Sequence, residues 1–260
     1  MRTLKLTIAY DGTRYAGWQV QKRRGRGRGA GGAGKPTIQG TIEGVLRIIL
    51  QEPVRVVGSG RTDAGVHALA QSAHVNTRST LPCERLSRSL NQLLPPDIAV
   101  ARLEEADGAF HARFHPSRKR YRYRVFTGPV VSPFIRPYVH HVRPPLDVAL
   151  MRREAACLEG RHDFRAFARA RRHGTTRRTI TDIQVRRRAR EIRIEVEGNG
   201  FLHTMVRSIT GTLLDVGRGH RPPGTVRRML RTGQRALAGT TAPAQGLTLV
   251  SVDYRRRRDG

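Results

Sequence analysis

The chain has 260 residues, a formal net charge of +29 and 38 % hydrophobic residues, and only four of its 49 basic residues are lysine. A chain of this length buries about 70–75 % of its unfolded surface, enough for one large domain or two small ones, and the charge points to a polyanionic partner, nucleic acid first. No run reaches the ~18 apolar residues of a membrane helix, MRTLKLTIAY lacks the apolar core of a signal peptide, and Cys83 and Cys157 have no CxxC neighbour, which argues against a disulfide framework or a cysteine-built zinc site and predicts a soluble, cytoplasmic protein.

In chain order, RTLKLTIAY (2–10) alternates Leu4, Leu6, Ile8 and Tyr10 on one face and predicts a half-buried strand. Asp11-Gly12 predicts a turn, followed by RYAGWQVQ with the only Trp. The segment 22–36 is Gly/Arg-rich and predicts a flexible basic insertion. It either touches phosphates or is inert. Its formal GxGxxG at Gly27, Gly29 and Gly32 follows no strand and is rejected as a nucleotide fingerprint.

Ile38, Ile42, Val45, Leu46, Ile49 and Leu50 recur at helical spacing, which predicts a helix over 38–50. VRVVG, LAQSAHVN and DIAVARL read as strands. LPCERLSRSLNQLL (81–94) reads as a helix stopped by Pro95-Pro96. Beyond a boundary near Asp107-Gly108 the order is echoed: strand YRYRVF, helix 146–160 ending at Gly160, strands TDIQVRRR and EIRIEVEG, helix 201–217 and strand GLTLVSVDY. The expectation is an α+β protein of two similar halves, 1–107 and 108–254, around a largely antiparallel sheet, with a disordered tail at 255–260.

Among these elements GSGRTDAGVHA (58–68) is anomalous. Gly58-Ser-Gly60 opens like a dinucleotide fingerprint, but the sixth position is Asp63 where backbone would approach a pyrophosphate. A carboxylate there repels phosphate, so the loop is built to present an acid. A lone carboxylate acts as nucleophile or general base at a sugar carbon. No second carboxylate is evident nearby, since Glu52 precedes Pro53 at the far end of a strand, and no GxSxG, P-loop or HExxH spacing occurs.

FHARFHPSRKRYRYRVF (110–126) interleaves aromatics with eight basic residues, counting His111 and His115. It reads as an RNA-contacting strand and as a surface strand with Tyr121, Tyr123 and Val125 facing the core and Arg outside, two compatible readings if one Tyr is packed with its hydroxyl in a pocket. In GFLHTMVRSITG, Arg207 lies off the apolar stripe of Leu202, Met205, Val206, Ile209 and Leu213. It is solvated, unless a second layer covers that face and supplies a carboxylate.

GSGRTDAGVHA resembles the signature of the TruA family of tRNA pseudouridine synthases. YDGTRYAGWQVQ with TIQGTIEGVL, then FHARFHPSRKRYRYRV, NGFLHTMVRSITGTLLDVG and GLTLVSVDY resemble that family in order and approximate spacing, so the likeness spans nearly the whole chain. The resemblance implies the pseudouridine synthase α+β fold. It implies isomerisation of uridine to pseudouridine at positions 38, 39 and 40 of the tRNA anticodon arm, without cofactor or metal, by a homodimer. It puts the essential aspartate on Asp63, the base-stacking tyrosine on Tyr121, the arginine associated with nucleotide flipping on Arg61 and the basic partner of the aspartate on Arg207. The segment between Gln21 and Thr37 is longer and richer in Gly and Arg than the family pattern.

Overall fold

The alternation of RTLKLTIAY forms strand β1, Arg2–Tyr10, with Leu4, Leu6 and Ile8 fully buried. The structure is a computed structural model that describes residues 1–20, 35–169 and 174–254. The expected insertion, apart from Lys35 and Pro36, and the expected tail lie outside the described residues. The chain divides into two compact units, Met1–Pro116 with Tyr254–Gly260, and Ser117–Asp253.

In the first unit β1 is followed by helix α1 (Ile38–Leu50), the short strand β2 (Val57–Gly58), strand β3 (His67–Thr77), helix α2 (Cys83–Leu93) and strand β4 (Ile98–Ala106). The Thr37 side chain accepts from Gly40 N at 3.2 Å and caps α1, and Gln51 closes it in the left-handed region at φ 53°. Leu86 and Leu90 form the buried stripe of α2, and Asn91 fastens it to β4 by bonding both the N–H (2.8 Å) and the C=O (3.0 Å) of Val100. β1 runs between β3 and β4, antiparallel to both, and β2 pairs antiparallel with β3.

The expected strand VRVVG shrinks to Val57–Gly58. The reason is a competing set of partners: the Val56 N–H donates to Glu43 Oε1 (2.9 Å) and its C=O accepts from Gln39 Nε2 (3.1 Å), both from α1. Side chains take the backbone groups that a ladder would use.

The second unit contains most of strand β5 (Pro116–Phe126), then β6 (His140–His141), helix α3 (Val148–Ala156), strands β7 (Gly160–Asp163), β8 (Arg177–Arg188) and β9 (Glu191–Gly198), helices α4 (Met205–Gly217) and α5 (Thr225–Thr232) and strand β10 (Leu247–Tyr254). The order is β10-β5-β9-β8-β7, with β6 parallel to β5. The β5–β9, β9–β8 and β8–β7 pairs are antiparallel, so the α+β class with largely antiparallel pairing holds.

Two helices are shorter than their apolar patterns. α3 stops at Ala156, and Gly160, at φ 101°, opens β7 instead of ending the helix. α4 starts at Met205 because Thr204 sits at φ 62°, outside the helical region. β6, β7 and α5 carry no signal that the sequence reading used. α5 depends on a distant carboxylate: Glu154, buried on α3, accepts from Gly224 N (2.5 Å) and Val226 N (2.9 Å) at its N-terminus. Among the described residues no helix is long and apolar enough to cross a membrane.

Candidate active site

Asp63 lies on the loop between β2 and β3 and is partly exposed. Its neighbours are fixed on both sides. On the β3 side, Ser59 N donates to Ser72 O (2.7 Å), Ser59 Oγ to Gln71 Oε1 (2.7 Å), and Gln71 Nε2 to Gly60 O (3.0 Å). On the other side, Trp18 N donates to Thr62 O (3.1 Å), and Tyr10 Oη shares a hydrogen bond of 2.9 Å with Thr62 Oγ1. Burial raises the Tyr10 phenol to about 12, against the pull of that hydrogen bond, so the phenol keeps its proton. Val66 N closes the turn on Asp63 O at 3.2 Å, with Gly65 at φ 78°.

The segment that wraps this loop is the stretch after β1. Gly17, at φ 91°, lies so close that a Cβ would come within 2.5 Å of Thr62 O and 3.0 Å of the Asp63 carbonyl carbon. A Cβ on Gly12 would collide with the backbone of Val66, and one on Gly58 would meet the Trp18 ring at 2.5 Å. These glycines let backbone pack on backbone. The acid is therefore presented by a loop clamped at Thr62 and Val66, one position before it and three after.

Arg61, exposed on the same loop, has a support of its own. Its Nε donates to Gln19 Oε1 (3.2 Å), Gln19 Nε2 donates to Gln39 Oε1 (2.6 Å), and Gln39 Nε2 donates to Glu43 Oε1 (2.8 Å). Val20 N donates to the same Gln39 oxygen at 2.9 Å. A file of amides thus connects α1 to the guanidinium.

In the second unit, Tyr121, Tyr123 and Val125 point into the core from β5. Tyr121, 7 % exposed, meets Phe201 edge to face with centroids 5.2 Å apart at 85°. Two positions along the same face, Tyr123 Oη donates to Pro243 O at 2.8 Å. Burial pushes its pKa well above the ordinary value, with the Arg207 charge opposing.

Arg207 and Asp215 are the only residues of α4 that are not buried. A second layer does cover the helix at this point. Arg207 Nε donates to Ala242 O (2.8 Å), Ala242 N returns a bond to Arg207 O (3.1 Å), and Gly211 packs directly against the carbonyl of Thr240. The strap 240–242 replaces the solvent that a free arginine would have.

The outer arginines of β5 are engaged by acids. Arg118 bonds Glu197 (3.1 Å) and Asp253 (3.0 Å), Arg120 grips Glu197 through Nε (2.9 Å) and Nη2 (2.7 Å), Arg122 bonds Glu195 (2.5 Å), and Arg124 bonds Glu191 (3.1 and 2.8 Å). The strand therefore has the surface-strand arrangement, with its Tyr residues inward and its Arg residues outward.

Asp63 and Arg61 share one loop of the first unit, while Tyr121 and Arg207 belong to the second. Sequence reasoning did not single out Gly17, Gln39 or Gln71, gave Gly12 only a turn and gave Tyr123 only a place facing the core. Gly12 and Gly17 stand in plain view in YDGTRYAGW, but only a three-dimensional clamp gives them a role.

Residues 6–115 and 155–255 match the protein family described as tRNA pseudouridine synthase. The tRNA pseudouridine synthase A of Brevibacillus brevis is 42 % identical over 255 residues, 98 % of this chain and 100 % of the relative. That of Anoxybacillus flavithermus is 43 % identical over 256 residues, 98 % and 99 % of the two chains. That of Moorella thermoacetica is 42 % identical over 257 residues, 98 % and 100 %.

Proposed function

The chain belongs to the tRNA pseudouridine synthase family, and from that premise we propose that it isomerises uridine to pseudouridine at positions 38, 39 and 40 of the tRNA anticodon arm, with Asp63 as the acting carboxylate. The observation that carries the reading is the clamped presentation of one acid, Asp63, on a chain of net charge +29. A protein that only held RNA would have no use for a rigidly displayed carboxylate.

The reaction breaks C1′–N1, turns the uracil and forms C1′–C5. The hydrogen at C5 leaves as a proton and N1 gains one, so the product is an isomer of the substrate. The Asp63 carboxylate serves this in one of two ways. It adds to C1′ as N1 departs with the bonding pair, or it takes a proton from C2′ and leaves a glycal. Both routes need the ionised acid beside the ribose. Tyr121 would stack on the target base, Arg61 would act in flipping the nucleotide, and Arg207 would favour the ionised acid and orient it. Phosphate contacts supply affinity, and their number sets its salt dependence. The same reading includes a homodimer in the cytoplasm; a monomer in sedimentation at assay concentration would remove the dimer from it.

The test uses tRNA transcript carrying tritium at uridine C5, because forming C1′–C5 releases that label to water. Wild type is expected to release it. Asp63→Ala is expected to lower release at least about 10³-fold while keeping tRNA affinity and the circular dichroism spectrum. No release from folded, tRNA-binding wild type would sink the reading. An unfolded Asp63→Ala alongside an active, folded Asp63→Asn would make Asp63 structural.

A further inference from the structure

The outer face of β5-β9-β8 changes character along its length. Cross-strand rows can be read from the register. One row is Arg120–Glu197–Asp182 and the next is Arg122–Glu195–Gln184. With Arg118 added, three arginines close on two acids, Glu197 and Glu195, at 2.5–3.1 Å at this end. The following row is Arg124–Arg193–Arg186, three arginines side by side on three strands. Arg188 follows on β8, opposite Glu191. Glu191 is the one acid of this end, and it is taken by Arg124 (2.8 Å) and Arg193 (2.5 Å).

Like charges directly opposite one another weaken a sheet. Here three stand in a row. Arg186 and Arg188 are exposed and make no ion pair or side-chain hydrogen bond with the described residues. The turn beyond them is held: Thr127 donates to the Arg190 carbonyl through both N (2.8 Å) and Oγ1 (3.0 Å), with Ala189 at φ 49°. A fixed hairpin thus displays guanidinium groups that the protein's own acids leave uncompensated. A phosphate laid across such a row turns the repulsion into attraction, and the guanidinium fork matches its paired oxygens.

We propose that the β8–β9 hairpin, through Arg186, Arg188 and Arg190, is a docking surface for backbone phosphates of the tRNA substrate. The proposal rests on the reading that tRNA is the substrate. It separates this hairpin from β5, whose basic run looked like the RNA-contacting strand in the sequence but has its arginines paired with glutamates. The contact is to phosphate, so it positions the RNA and reads no bases.

The experiment measures binding of full-length tRNA from 50 to 300 mM KCl by wild type, R186Q/R188Q/R190Q and a charge-matched control in the first unit, R55Q/R78Q/R85Q. The hairpin variant is expected to lose about 2–3 from the magnitude of the slope of log K against log salt. Its Kd should rise about ten- to a hundredfold near 0.15 M salt. Its tritium release at saturating tRNA should match wild type, and its melting temperature should be equal or slightly higher, because the like-charge row is relieved. Wild-type slope and affinity in the folded hairpin variant would overturn the proposal. Equal losses in the control would also overturn it, because total charge would then explain the binding. Tritium release by wild type scores the isomerase reading separately: an inactive wild type whose tRNA binding still depends on the hairpin would sink that reading and leave this one standing.

Discussion

The Asp63 loop and helix α4, which carries Arg207, are both held firmly, by opposite means. The loop is held by hydrogen bonds and by backbone packed on backbone at Gly12 and Gly17. α4 is held by burial: all of its residues except Arg207 and Asp215 are inside. The difference separates two kinds of damage. A change at the clamp misplaces a carboxylate and leaves a hydrophobic core intact. A change on α4 disturbs the core first and the arginine only as a consequence.

The largest effect expected from this contrast is on activity, from Gly17→Ala. The new methyl would meet Thr62 O at 2.5 Å, and the residue would have to hold φ 91°. The left-handed backbone alone costs about 1–2 kcal/mol, and the collision moves the residues just before and at Asp63. A shift of about 1 Å at a reacting group costs about 10²-fold in rate. Tritium release should fall by that much or more while tRNA affinity and circular dichroism stay near wild type. A Gly17→Ala enzyme with full activity would show that the clamp does not position the acid.

Gly211→Ala should give the reverse pattern. Its methyl would be driven into the Thr240 carbonyl, where the strap crosses α4. Overpacking of this kind costs about 1–3 kcal/mol, seen as a lower urea midpoint. The methyl also comes within 3.1 Å of Ala242 N, which donates to Arg207 O, so the hold on Arg207 loosens together with the core and kcat of the folded fraction should fall only a few-fold. A large fall in kcat with unchanged stability would mean that the strap serves Arg207 more than the core.

The same contrast explains what was legible in the sequence. Periodicity gave β1, α1, α2, β8, β9 and the body of α4 because their partners lie at fixed local spacing. It overran at Thr204 and Gly160, where single backbone conformations end one element and begin another. It missed α5, which Glu154 caps from another helix. In the site, Asp63 was legible as an acid out of place in a glycine loop. Its clamp was not, because Gly12 and Gly17 meet residues some 50 positions away in sequence. The arginines of β5 show the same limit: their basic run was legible, but the glutamates that the register sets beside Arg120 and Arg122 were not.

The smallest expected effect concerns pH, and it belongs to neither the loop nor the helix. Burial pushes the Glu197 carboxyl upward, but the Arg120 hydrogen bond and the charges of Arg118 and Arg120 outweigh it and hold the group below its usual range. The Arg124 hydrogen bond, ahead of the Arg193 bond, does the same for Glu191 against a smaller cost of burial. A carboxylate whose folded pKa is depressed stabilises the fold above the unfolded value, about 4.3. That contribution is lost as pH falls through the lower folded value. Urea midpoints should therefore fall between pH 5 and pH 3 for wild type, and fall less steeply for Glu197→Gln, which has no proton to take up. Gly17→Ala should keep the wild-type dependence, because the atoms its methyl would meet first, Thr62 O and the Asp63 carbonyl carbon, are backbone atoms that do not titrate. Parallel pH profiles for wild type and Glu197→Gln would show that the ladder on β5 and β9 is too solvated to link protonation to folding.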